Sequence, residues 1–234
     1  MTVSTTSATE AGSIPDDWAE ALRKQSYDPA DAEALATRLC SSGVWPENRL
    51  VFRALWDTPL EQVRVVLLGQ DPYSQPGKAT GLAFSQDGQP TLGDSLDALF
   101  TNMDDDPDVS FSRPSSGAGD LALWADRGVL LLNSALTVAE NTPGSHRSTW
   151  RDFTRHLLQV LAVESRPIPF LLLGTSSPKW CPTRIPDPPH RVIPTTHPVA
   201  WSSKHIPLLR DATPFSDANR FLAAANQRGI DWRL

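Results

Sequence analysis

Residues Val63 to Ser85 read VRVVLLGQDPYSQPGKATGLAFS. Val63–Leu68 is a short apolar run rich in β-branched residues, the pattern of a strand buried on both faces in a parallel sheet. The run ends in Gly69-Gln70-Asp71-Pro72-Tyr73, a turn that sets an amide, an acid and a phenol at the carboxyl end of a strand. Ligands of open α/β sheets bind at that edge. Glycine and Asp-Pro are also ordinary turn formers, so the turn by itself assigns no chemistry.

Three further runs of the same kind follow. Gly128–Asn133 ends in an amide, Pro169–Thr175 in Gly-Thr, and Arg191–His197 in Thr-His ahead of Pro198. Helical patterns separate them. Pro15–Gln25, Pro29–Ser42 with Asp28 as its cap, Pro46–Trp56, Asp94–Asn102, Ser148–Glu164 and Ser216–Gln227 are the predicted helices. The acidic run Asp104–Asp108 reads as a solvated loop. Strands alternating with helices predict an α/β fold: one domain with a central four-stranded, mostly parallel sheet flanked by helices. Such a sheet brings Asp71, Asn133, Thr175 and His197 to one edge, the pattern of an active site.

At 234 residues the chain suits one such domain, predicted over residues 15–234, with residues 1–14 as a disordered tail. The start has no basic head or apolar core of a secretory signal, and no run has the length of a membrane span. Two cysteines, Cys40 and Cys181, are too few for a four-cysteine cluster and fit thiols of a reducing, cytoplasmic setting. The net charge of −6 is unevenly spread. Residues 1–144 carry 9 Lys and Arg against 21 Asp and Glu, and residues 145–234 carry 12 against 6. That asymmetry is compatible with a positive face on an acidic body, or with a merely uneven solvated surface.

Gln70-Asp71-Pro72-Tyr73 directly after an apolar strand, with Gly77, Gly81 and Phe84 at these spacings, resembles the water-activating loop of family-one uracil-DNA glycosylases. Leu130-Leu131-Leu132-Asn133 running into Ser134–Val138, and Thr196-His197-Pro198, extend the resemblance from about Trp45 to the C-terminus. The resemblance implies the uracil-DNA glycosylase fold and hydrolysis of the deoxyuridine N-glycosidic bond without cofactor or metal. Free uracil and an abasic site would result. Asp71 would position water and stabilise the sugar cation, and His197 would stabilise the uracil anion. Asn133 would read the uracil edge, Tyr73 would exclude the thymine methyl, Phe84 would stack on the flipped base, and Gln70 would offer backbone hydrogen bonds. Ser95, Thr175 and Ser176 would grip the DNA backbone. The expected partner is uracil-containing DNA, single- or double-stranded, with the protein acting as a monomer.

Two departures stand out. Ser74 replaces a family histidine near the scissile nucleotide. After Pro198 the family leucine that wedges into the minor groove is missing, and the loop reads Val199-Ala200-Trp201-Ser202-Ser203-Lys204-His205. Trp201, Lys204, His205 or Arg210 would have to fill the gap left by the flipped base. The phage inhibitor of this family seizes that leucine, so weak inhibition or resistance is expected. Two other readings remain at this point. One is a uracil- or DNA-binding protein of the same fold with weakened catalysis. The other is a nucleotide hydrolase of the doubly wound class, disfavoured by the lack of a P-loop or GxGxxG.

Overall fold

The computed structural model describes residues 12–86, 91–114, 119–174, 184–200, 202–203 and 206–234. In chain order the elements are α1 (Asp16–Lys24), α2 (Pro29–Leu39), β1 (Val44–Trp45), α3 (Arg53–Asp57), β2 (Val65–Gly69), α4 (Asp94–Asp105) and α5 (Ala122–Asp126). Then come β3 (Val129–Asn133), β4 (Val138–Ala139), α6 (Arg147–Ala162), β5 (Pro169–Leu173), β6 (Arg191–Thr195) and α7 (Pro214–Ala224).

The four long strands form one sheet in the order β3-β2-β5-β6, and every neighbouring pair is parallel. The fold is therefore the α/β class read from the apolar runs. Every residue of β2, β3 and β5 is buried, which is why these strands are continuous apolar runs and do not alternate. β6 lies at the sheet's edge and is only partly covered, and it tolerates Pro194 there. β1 and β4 make a separate two-residue antiparallel pair.

Helix α6 buries Trp150, Phe153, Leu157, Leu158 and Leu161, one stripe at helical spacing. Phe52 meets Trp150 and Phe153 edge-on, at 6.2 and 5.8 Å between ring centroids. A second aromatic cluster joins Phe100, Trp124, Phe215 and Trp232. It ties α4, α5 and α7 to the C-terminal segment.

Two predicted elements differ. Pro46–Trp56 is not one helix but a 3₁₀ turn, Asn48–Leu50, followed by α3. The turn lies against the glycine loop: a Cβ on Gly81 would come within 2.1 Å of the Leu50 carbonyl oxygen. The acidic run is also not a free loop. Asp104 and Asp105 close α4, and Asp104 pairs with Arg113 at 3.1 Å. Asp106 is buried and accepts from Ser216 Oγ at 2.7 Å, while Asp108 pairs with Arg220 at 2.8 Å. Partners distant in sequence hold this charge.

Candidate active site

All four strands of the sheet point their carboxyl ends the same way, and residues at or beyond the ends of β2, β3 and β6 meet in one pocket of about 270 Å³. Gln70, Asp71, Tyr73, Phe84, Ser95, Asn133, Arg147 and His197 are among its lining residues. The loop after β2 and the loop after β3 are zipped together beyond the sheet. Ser134 N–H donates to Gly69 O at 3.1 Å, Ala135 N–H to Gln70 O at 3.0 Å, and Ser134 Oγ to the same oxygen at 2.8 Å. Asp71 and Asn133 thus inherit their relation from the strand register that pairs Gly69 with Asn133.

Asn133 is 6% exposed, and its amide makes no hydrogen bond to a described residue. Asn133 lines the pocket, where a ligand can pair with its amide. Gly69 leaves room for it: a Cβ there would stand 2.5 Å from Asn133 Oδ1 and 3.2 Å from the Phe84 ring. Phe84 holds a left-handed backbone, φ 63°, an uncommon state for a bulky aromatic. Tyr73 steadies it by donating its hydroxyl to the Phe84 carbonyl at 3.2 Å. Burial pushes the Tyr73 phenol pKa up, with the charge of Asp94 adding to the rise, so the phenol stays protonated as that donor. Lys78 lies over the Tyr73 ring, 4.5 Å from its centroid.

His197 accepts from the Val199 N–H through Nδ1 at 3.4 Å, which leaves Nε2 as the protonated nitrogen. Burial lowers its pKa, the Arg147 charge lowers it further, and Asp71 opposes both. The ring is a neutral donor. The groove loop that starts at His197 is clamped at its base: Thr196 N–H donates to Pro207 O at 3.0 Å, and Leu209 N–H donates to Thr196 Oγ1 at 3.2 Å.

Asp71 carries a partner that the sequence reading missed. Arg147 Nε lies 3.0 Å from both carboxylate oxygens, its Nη2 also bonds Oδ2, and the same nitrogen donates to Gln70 Oε1 at 2.9 Å. The Gln70 amide NH₂ in turn donates to the Gly174 carbonyl. The Gln70 side chain is therefore a brace between β5 and Arg147. Its backbone carbonyl is already taken by Ala135 and Ser134. One sequence signal did mark Arg147. It opens α6, where a cation opposes the helix dipole, and a locally unfavourable choice of that kind points to a task.

Ser95 lines the pocket from the first turn of α4. Thr175, Ser176, Trp201, Lys204 and His205 lie outside the described residues. Arg210 is exposed on the 3₁₀ turn Leu209–Asp211, with its Nε 3.9 Å from Asp211 Oδ2, and it does not line the pocket. Among the described residues no group of three or more His, Cys, Asp or Glu side chains is gathered as a metal set, and no helix is long and apolar enough to cross a membrane.

A parallel α/β sheet whose strand ends deliver an acid, an open amide, an aromatic and a neutral imidazole to one pocket defines an enzyme-like site for a small planar ring. The profile of the Uracil DNA glycosylase superfamily matches residues 56–223. A uracil-DNA glycosylase of Streptococcus pneumoniae is 39% identical over 197 residues, covering 81% of this chain and 83% of that one. Another from Azobacteroides pseudotrichonymphae is 35% identical over 201 residues, covering 86% and 88%. Among solved structures, mimivirus uracil-DNA glycosylase superposes with a TM-score of 0.80 at 24% identity, over 98% of this chain and 90% of that chain, a likeness of fold. The chain belongs to the uracil-DNA glycosylase superfamily.

Proposed function

We propose that the protein hydrolyses the N-glycosidic bond of deoxyuridine in DNA, releasing uracil and leaving an abasic site. The observation that carries this reading is the convergence of Asp71, Asn133, His197, Phe84 and Tyr73 on one pocket in a chain of this superfamily.

Water attacks C1′ as the C1′–N1 bond breaks. The bonding pair stays on the base, which leaves as an anion with charge on O2. Asp71 stabilises the cationic sugar and takes up the proton of the attacking water. His197, neutral and protonated on Nε2, donates to O2 as that charge grows. The leaving anion needs no acid, so a single carboxylate suffices, unlike the paired acids of O-glycosidases.

Asn133 supports the choice of base. Its oxygen accepts from uracil N3–H and its NH₂ donates to O4. Cytosine presents the reverse pattern and would leave buried polar groups unpaired, which gives large discrimination against it. Asn133→Asp should therefore admit cytosine, and Tyr73→Ala should permit slow thymine excision by freeing the space at C5. Both are checked with single-lesion oligonucleotides carrying uracil, cytosine or thymine. Unchanged base choice in both variants would remove these residues from the base pocket. The primary test is incubation of the wild-type protein with a uracil oligonucleotide, then alkali and a gel. Cleavage at uracil and not at thymine or cytosine is the expected result; an intact strand would overturn the reading.

The protein is proposed to act as a cytoplasmic monomer on single- or double-stranded DNA. It is also proposed to resist the phage protein inhibitor. Among the described residues of the groove loop the larger apolar side chain is Val199, 42% exposed and shorter than the family leucine. A variant of the mimivirus protein has been solved in complex with UGI. Anchors of that kind concentrate interface energy, so the loss of one weakens binding by more than its area suggests. Titrating the inhibitor against uracil release, with an ordinary family member alongside, should leave this protein active at equimolar inhibitor. Stoichiometric inhibition of both would show that the loop still presents the family surface.

A further inference from the structure

The guanidinium of Arg147 is in an unusual place for an enzyme that must build positive charge on a sugar. It occupies both oxygens of the carboxylate assigned to stabilise that charge. A cation fixed there opposes a second cation forming beside it. One carboxylate oxygen must also be free for water. The pair is unequal in exposure: the Asp71 side chain is 8% exposed and that of Arg147 39%. The acid is thus beneath, and the guanidinium is the solvent-facing cover over it. A phosphate entering with the flipped nucleotide meets Arg147 before it meets Asp71.

The surroundings favour such an exchange. Arg147 is the first residue of α6, and the hydrogen bonds of its head are those to Asp71 and Gln70, so exchanging them lets the head swing while the helix stays packed. Its second partner, Gln70 Oε1, is a neutral acceptor that a phosphate oxygen outbids. Ser74, also in the pocket wall, is buried and has too short a side chain to reach outward to a phosphate. A planar fork that grips a carboxylate bidentately grips a phosphate in the same way.

We infer that Arg147 is a substrate-binding residue stored on Asp71: it leaves the carboxylate for a phosphate flanking the deoxyuridine when DNA enters, freeing Asp71 in the same movement. The inference rests on the uracil-excision reading and extends it. Coupling the two events means that Asp71 is unmasked only where a nucleic-acid backbone is present. Free deoxyuridine would find the acid still covered.

The test is a binding cycle independent of turnover. Oligonucleotides carry 2′-fluoro-deoxyuridine, which resists hydrolysis, with the phosphodiester on its 5′ or its 3′ side either intact or replaced by a neutral methylphosphonate. Wild type should lose about tenfold in affinity at one of the two linkages, the scale of one charge-assisted contact. Arg147→Gln should bind about tenfold more weakly than wild type and lose nothing further at that linkage. Its affinity should also depend less steeply on salt, by about one phosphate contact. Arg147→Lys, with the charge kept and the fork lost, should retain part of the linkage penalty; it serves if the glutamine variant melts early. Equal linkage penalties in wild type and variants, or none in wild type, would mean that the guanidinium stays on Asp71 and would overturn the inference. If wild type instead fails to prefer 2′-fluoro-deoxyuridine over thymidine, it is the uracil reading that fails.

Discussion

Asp71→Asn is expected to lower uracil release by about 10²–10⁴-fold, the range of a positioned acid–base group, with the fold and the recognition of uracil retained. The isosteric amide keeps the shape of the loop after β2. Under the proposed mechanism it removes the negative charge that would face the sugar and the group that would accept the proton of water. Arg147 then loses its ionic partner but keeps Gln70 Oε1, so the rim does not collapse. The measurement is single-turnover release from a uracil oligonucleotide, with melting temperature and affinity for a 2′-fluoro-deoxyuridine strand recorded in parallel. Near-normal turnover in this variant would remove Asp71 from the chemistry.

His197→Ala removes the donor that the proposed mechanism directs at the developing negative charge, and a loss of about 10²–10³-fold is expected, as for an oxyanion-hole donor. The pH profile separates this role from proton delivery. Burial and the Arg147 charge hold the His197 pKa below the ordinary imidazole value of 6.5, against the pull of Asp71. The ring thus stays neutral through pH 6.5, and the wild-type rate should not climb as pH falls through that value. The stability effect has a definite sign. A histidine with a lowered folded-state pKa takes up its proton more readily when unfolded. Its contribution is therefore present above about pH 6.5 and is lost on acidification through the lower folded value. A wild-type rate that rises with an apparent pKa near 6.5 and flattens in the alanine variant would instead make His197 a general acid.

The apolar runs around Val65–Gly69, Val129–Asn133 and Pro169–Leu173 were legible as strands because strands buried on both faces are short, continuous apolar runs bounded by turn residues. β6 was legible at its polar end, where Thr195 precedes Thr196 and His197. Helix α5 and the β1–β4 pair escaped, since five and two residues carry no readable period. The break in Pro46–Trp56 depends on a glycine thirty residues downstream, and the pairing of Asp104, Asp106 and Asp108 depends on Arg113, Ser216 and Arg220. No local pattern encodes such partners. Among the site residues, those within a motif were named by resemblance: Asp71, Tyr73, Phe84, Asn133 and His197 share one pocket. Arg147 was missed because its significance lies in a contact with residues 76 and 77 positions away.

The pairing of Gly69 with Asn133 across two parallel strands has a consequence for how the choice of base can be altered. Neighbouring strands stand about 4.8 Å apart, a spacing dictated by backbone hydrogen bonds and indifferent to side chains. Asn133, which ends β3, and Asp71, two residues beyond Gly69 in the loop after β2, are therefore spaced by the sheet itself. Substitutions at the rim can change which pyrimidine enters. Widening that spacing would mean parting two hydrogen-bonded strands inside a core buried on both faces, at the cost of their ladder and their packing. Substitutions at the rim should therefore change base choice more readily than any change that has to alter this spacing.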